Sequence, residues 1–176
     1  MNMLAALGAY GALMKTKGDK LHWPGGVSGV QEAIDADLLA DAILFSLDND
    51  SFSDETFNIT NGDVFQWENV WPSVARALAM EPGDPRPQRL SQTCYDETAW
   101  AQIVSQHGLR PHSLKELVGD SFYYADALFN ASGERPPPPA LVSTIKLRQA
   151  AFHDCIDTED MLVKWLTRLR QMRLLP

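Results

Sequence analysis

The chain is short of the residues that build metal and redox centres. Its 176 residues include two cysteines, Cys94 and Cys155, and four histidines. Two cysteines so far apart give neither a zinc-ligand spacing nor a disulfide framework, so the expectation is two reduced, buried thiols. His153 stands two residues from Cys155, but a neighbour in sequence need not face the thiol in space. His107 precedes a helix-stopping glycine and His112 follows a proline, positions that suit surface or capping roles. His153 and Asp154 are adjacent, and adjacent side chains on a helix or strand diverge. No metal-ligand spacing, phosphate loop or Ser-His-Asp signature is visible.

Long apolar runs are also missing. No stretch approaches the roughly 20 residues that cross a bilayer. Leu4–Met14 has about the length of a signal-peptide core, but Lys15, Lys17 and Lys20 follow it instead of preceding it, an order that suits a helix C-terminus and not secretion. A cytoplasmic protein without a membrane partner is therefore expected, with the sequons at Asn58 and Asn130 incidental. Basic residues are outnumbered, 15 Lys and Arg against 23 Asp and Glu, for a net charge of −8. Such a surface repels nucleic-acid phosphates and anionic lipid. A neutral, apolar or cationic small molecule remains the natural ligand.

What is present is one domain's worth of ordinary globular composition, 45% hydrophobic, long enough for a core. The expectation is a single substrate-binding type of domain over 1–176. Residues 4–17 read as a helix ended by Gly18. Gly8 and Gly11 lie on one of its faces, either for close packing or to leave a ligand room against bare backbone. His22–Gly26 reads as a short extended piece closing in a turn. Asp35 or Asp37 caps a helix to about Leu47, with Leu38, Leu39, Ala42, Ile43 and Ser46 on its periodic face. Thr56–Thr60 alternates and is β-prone, so it reads as a strand, followed by a turn at Asn61-Gly62-Asp63.

Trp67, Val70, Trp71, Val74, Ala75 and Leu78 keep the helical period, with Pro72 kinking that helix or marking its first turn. Residues 81–92 read as a loop. A helix around Trp100, Ile103 and Val104 stops near Gly108. Ser113 and Glu116 have capping-box spacing, and the pattern stays helical and apolar from Phe122 to Phe129. Four prolines make 133–140 a stiff linker or arm. The last helix gathers acids at Asp157, Glu159 and Asp160 and bases at Lys164, Arg168, Arg170 and Arg173, as the macrodipole favours. Its expected buried stripe is Met161, Leu162, Trp165, Leu166, Leu169 and Met172. The sum is an α+β chain, mostly helical, with two or three short strands.

Phe57-Asn58-Ile59-Thr60-Asn61-Gly62-Asp63-Val64-Phe65-Gln66-Trp67, with Trp71 beyond it, resembles the progesterone 5β-reductase and iridoid synthase-like enzymes, which are extended short-chain dehydrogenases. Asp35-Ala36-Asp37-Leu38-Leu39-Ala40, Ser143–Phe152 and the closing Arg173-Leu174-Leu175-Pro176 match the same family in order. The resemblance implies the C-terminal, substrate-binding part of that fold. The family's nucleotide-binding half has no counterpart here. Gly25, Gly26 and Gly29 lack the dinucleotide spacing and frame, and Tyr10, Tyr95, Tyr123 and Tyr124 lack the family's lysine four residues on. No cofactor-binding or metal-binding residue is therefore assigned.

In the family an Asn at the start of the first helix and an aromatic pair beyond a Val-Gly step line the cavity. The resemblance places Asn2 and Phe122-Tyr123 there. Tyr123, Asn2 and Tyr10 are the candidate catalytic hydrogen-bonding groups, and Phe122, Ala5, Gly8 and Trp23 the candidate substrate walls. The function implied is a cofactor-independent cyclase or isomerase of a hydrophobic secondary metabolite, with an intramolecular cycloaddition among its forms. Alternatives are a fragment or subunit of an NADPH-dependent enone reductase and a non-catalytic binder of apolar ligands. With the nucleotide-binding half absent, strand 56–60 and apolar helix faces lack neighbours, and a homodimer is expected.

Overall fold

The computed structural model describes residues 2–176, leaving Met1 outside the described residues. The chain is mostly helical with two short strands, and it divides into two compact units. The larger comprises Met1–Ser28, Trp67–Pro137 and Leu162–Pro176; the smaller comprises Gly29–Gln66 and Pro138–Met161. Sequence length suggested one domain's worth of chain; by contact the residues sort into two, and one boundary falls inside the proline run. No helix among the described residues is long and apolar enough to cross a membrane.

The larger unit is built around α1 (Met3–Thr16). Every residue from Ala5 to Met14 is buried, as a helix apolar on all sides requires. It packs against β1 (Leu21–His22), α5 (Glu97–His107), α6 (Leu114–Val118) and α7 (Ser121–Leu128). Gly8 and Gly11 serve close packing. A Cβ on Gly8 would lie 2.1 Å from Leu175 Cδ1, and one on Gly11 2.7 Å from Leu78 Cδ1.

The sheet of this unit is one parallel pair, β1 with β2 (Pro82–Gly83). Gly83 permits it, since a Cβ there would meet the His22 ring at 2.5 Å. Residues 81–92, expected as loop, thus supply β2 and the short α4 (Leu90–Thr93). The stripe of α3 (Trp67–Ala77) is buried as its period predicts, with Pro72 inside the helix. Trp23 stacks on Trp67 at 6.2 Å and meets Trp71 edge-on at 5.1 Å and Phe129 at 4.8 Å.

The capping box forms as predicted: Glu116 N–H donates to Ser113 Oγ at 3.1 Å and Ser113 N–H to Glu116 Oε2 at 2.7 Å. The helical run expected onward to Phe129 is broken into α6 and α7 at Gly119, whose φ of +51° suits a residue without a Cβ. The α9 stripe (Thr158–Gln171) is narrower than the sequence suggested. Leu162, Leu166 and Leu169 are buried, but Trp165 is half-buried beneath Lys164 and Arg168, and Met172 is 41% exposed. Trp165 and Met172 lie one heptad apart, so they share one edge of the stripe.

In the smaller unit α2 (Ala36–Leu47) is capped by Asp35, which accepts from Asp37 N–H at 2.7 Å and Leu38 N–H at 3.2 Å. Of its expected face only Leu38 and Ala42 are buried; Leu39 and Ile43 are exposed. Strand 56–60 does not form. The segment has no regular secondary structure and joins no ladder; among the described residues this unit's only bridge is the antiparallel Gln31–Phe65 pair. Phe57 and Ile59 pack instead on a cluster of Leu38, Ala42, Leu147 and Phe152, the last two belonging to α8 (Ile145–Gln149) and the turn after it.

Asn61 joins the segments of this unit. Fully buried, its Oδ1 accepts from Asp35 N–H at 2.6 Å, and its Nδ2 donates to Thr158 Oγ1 at 3.0 Å. Its own N–H donates to Ala33 O at 2.7 Å and its carbonyl accepts from Ile156 N–H at 3.0 Å. Asp63 accepts from Thr158 N–H at 2.9 Å and Thr158 Oγ1 at 2.6 Å. Gly62 turns the chain between them at φ +105°. Asn61→Ala leaves buried groups on Asp35 and Thr158 unpaired and is expected to cost about 2–4 kcal/mol in denaturant unfolding; a loss below about 1 kcal/mol contradicts this role.

Candidate functional site

Two helix starts meet on the larger unit. Asn2 caps α1: its Oδ1 accepts from Leu4 N–H at 3.1 Å and Ala5 N–H at 3.2 Å. Its own N–H donates to Ser121 Oγ, at the start of α7, at 2.8 Å. Residue 2 is exposed, and its Nδ2 hydrogens have no partner among the described residues. The next residues of α7 are the aromatic pair. Phe122 is fully buried with the Tyr95 ring edge-on to it at 5.1 Å. Tyr123 is 61% exposed, its ring 6.3 Å from that of Tyr95.

Tyr95 is fixed by donation of its hydroxyl to Gly119 O at 2.6 Å. Partial burial, reinforced by the Asp120 carboxylate, pushes its phenol above the ordinary tyrosine value, which keeps the proton on that oxygen. The result is an aromatic ledge of Tyr95 and Tyr123 over a buried Phe122, at the end of α7 that holds Asn2. Its available polar groups are the Tyr123 hydroxyl and the Asn2 amide. An apolar molecule carrying one carbonyl suits such a surface.

Tyr10 is not part of that arrangement. It sits eight residues along α1 from Asn2, about 12 Å at helical rise, and is fully buried. Its hydroxyl donates to His22 O at 2.9 Å and accepts from Gln88 Nε2 at 3.3 Å, and burial raises its pKa. Ala5, Gly8 and Trp23 are likewise buried in packing contacts, with the Trp23 indole donating to Gly26 O at 3.0 Å. The structure therefore brings together Asn2, Phe122 and Tyr123 and leaves Tyr10, Ala5, Gly8 and Trp23 inside the core. Tyr95 and Ser121 were missed by sequence reasoning. Neither carries a motif, and only the fold brings Tyr95 to α7.

The smaller unit has its own cavity of about 460 Å³, lined by Thr60, Asp63, Arg148, His153, Asp154 and Cys155 among others. His153 and Asp154 both line it because they stand in an irregular segment, where neighbouring side chains need not diverge. Cys155 is exposed, contrary to the expectation of a buried thiol, whereas Cys94 is buried. Burial pushes the Cys94 thiol up, which leaves it an unreactive core group. Among the described residues no cluster of three or more His, Cys, Asp or Glu is arranged to hold a metal ion.

No protein-family model matches the chain. It is similar over its full length to an (S)-8-oxocitronellyl enol synthase from Antirrhinum majus, 27% identical over 183 residues, and to another from Catharanthus roseus, 24% identical over 185. A 3-oxo-Delta(4,5)-steroid 5-beta-reductase from Arabidopsis thaliana is 24% identical over 183 residues. In each comparison the chain spans about 45% of the relative's length. The resemblance to part of the iridoid synthase-like and 5β-reductase-like enzymes, stated from motifs above, is thus carried by all of this chain.

Asn2 has a separable structural task. Asn2→Ala should cost about 1 kcal/mol through loss of the cap, whereas Asn2→Asp should stay within a few tenths because aspartate caps equally well. Paired denaturation curves check this; equal losses in both variants contradict it.

Proposed function

We propose that this chain acts on an apolar conjugated carbonyl compound, and that its own contribution is redox-neutral: it seats the substrate and promotes enolisation, leading to isomerisation or cyclisation. The observation that carries the reading is the Tyr95–Tyr123 ledge, with a solvent-facing phenol beside a buried aromatic floor. The relatives' names support the substrate class, since one is named for an enol and another for a 3-oxo steroid with a 4,5 double bond.

In this reading the Tyr123 hydroxyl donates to the substrate carbonyl oxygen, where negative charge develops as a C–H proton leaves. A donor aimed at developing charge accelerates that step more than it tightens ground-state binding. The departing proton goes to water at the exposed face and returns to carbon at the other end of the conjugated system. No hydride is needed, so residues 1–176 can contribute the step without a nicotinamide. The Asn2 Nδ2 group is the second donor available to the substrate.

A second reading is favoured by one observation. One relative is a reductase, and about 55% of its length lies outside the match. Here the chain is the substrate-binding part of an NADPH-dependent enone reductase whose nucleotide-binding residues lie in another segment or subunit.

Incubation with a conjugated enone, with and without NADPH, followed by mass spectrometry, separates the two. The redox-neutral reading expects product and substrate of equal mass; a gain of two hydrogens that depends on NADPH overturns it. Tyr123→Phe should slow turnover by about 10²-fold with little change in binding. Unchanged turnover in that variant removes Tyr123 from the reaction.

A further inference from the structure

His22 lies in β1, 8% exposed, with its ring against the bare backbone of Gly83. Both ring nitrogens meet an oxygen. Nδ1 is 2.7 Å from Asp84 O and Nε2 is 3.0 Å from Asp19 Oδ1. A main-chain carbonyl only accepts, and an ionised carboxylate only accepts. Asp19 is ionised: hydrogen bonds from His22 and from Arg86 hold its carboxyl down at about 2. Arg86 Nη1 makes the second of these, donating to Asp19 Oδ2 at 2.8 Å. Two acceptors are satisfied together only by a ring with two N–H groups, the imidazolium.

A neutral ring has one proton for two acceptors. With that proton on Nδ1, the Nε2 lone pair faces the Asp19 carboxylate. With it on Nε2, the Nδ1 lone pair faces the Asp84 carbonyl. Flipping the ring exchanges the nitrogens and keeps the conflict. No neighbouring group resolves it. Tyr10, from α1, donates its hydroxyl to the His22 carbonyl and not to the ring, and burial keeps that phenol protonated. Arg86 reaches the ring only through Asp19. Lys20 and Glu81 contribute main-chain groups: the Lys20 N–H donates to Asp19 Oδ1 and Glu81 O accepts from Leu21 N–H, each at 2.9 Å. From α3 the uncharged Trp71 indole donates to Leu21 O at 3.0 Å.

The conflict falls on a short joint. β1 and β2 pair over two residues each, and one of them, Pro82, has no N–H to give. Beyond β2 the joint continues through Arg86 N–H, which donates to Trp23 O at 2.9 Å, and Gln88 N–H, which donates to Pro24 O at 2.8 Å. The His22–Asp84 bond stands between these and the strand pair. We propose that His22 is a protonation latch: as imidazolium it ties the turn at Asp19 and segment 84–88 to β1, and loss of one ring proton releases segment 84–88. A contact made by the protonated ring is present on the acid side of its titration and lost as pH rises through it. Asp19 keeps its charge down to pH about 2, so the latch stays closed on that side.

The full chain, labelled with ¹⁵N, tests this between about pH 5 and about pH 9. Two-bond ¹⁵N–¹H correlation reads the protonation of the His22 ring, and amide exchange in the same samples reads the joint. The protection factors of the Arg86 and Gln88 amides should fall by about 10-fold in step with loss of the ring proton, while that of Leu13 inside α1 stays constant. Asp19→Asn keeps an acceptor but removes its charge. In that variant the ring should lose its proton at a pH lower by about 1 unit, and the loss of protection should move with it. Protection that is unchanged across the ring titration overturns the proposal. So does a ring already neutral at about pH 5 with the joint intact, or a loss of protection that does not follow the ring in Asp19→Asn.

Discussion

Helix α1 has no solvent face along ten consecutive residues, and the larger unit is arranged to satisfy that constraint. A helix apolar on every side cannot be stable alone in water, so its surroundings must close over it. Leu175 and Leu78 reach its backbone because Gly8 and Gly11 lack a Cβ. The one polar tip buried along it, the Tyr10 hydroxyl, needs partners from β1 and from the segment before α4, and has both. With its middle committed to packing, α1 offers polar chemistry only at its ends. The N-terminal end, where Asn2 meets Ser121, is where the aromatic ledge stands.

The smaller unit has few apolar side chains fully buried and depends more on a polar junction. Asn61 uses its main-chain and side-chain groups to tie residues 33 and 35 to residues 156 and 158. Asp63 then holds the first turn of α9 through Thr158. A fully satisfied buried amide of this kind fixes one arrangement of the segments around it, since any slip leaves donors unpaired. The Asn-Gly-Asp stretch that looked like a plain turn is therefore the element that orders this unit.

What was legible in the sequence was local. The capping box at Ser113, the glycine stop at Gly108, the stripe of α3 and the charge polarity of α9 each depend on residues within a few positions of one another, and each appears as read. Strand 56–60 failed because a strand needs a partner that its own residues cannot supply. The strand pair that does form has only two residues on each side and includes Pro82, so no alternation marks it. Trp165 and the outer face of α2 were misread because periodicity gives the direction of an apolar stripe but not how wide a surface its neighbours cover. The candidate site was half legible. Motif resemblance named Asn2, Phe122 and Tyr123, which the fold places at neighbouring helix starts, but whether Tyr10 or Tyr123 faced solvent depended on packing between elements distant in sequence.

In the proposed reading, substrate recognition lies at the starts of α1 and α7, and the cavity near Arg148 and His153 takes no part in it. Amide shift mapping by nuclear magnetic resonance, with the labelled chain titrated by a 3-oxo-Δ4,5 steroid, tests that most directly. The expected result is saturable shifts at Leu4, Tyr95, Ser121 and Tyr123 with those of residues 60–63 and 148–157 unmoved. Shifts confined to the latter group would contradict the account and move the functional site to the smaller unit.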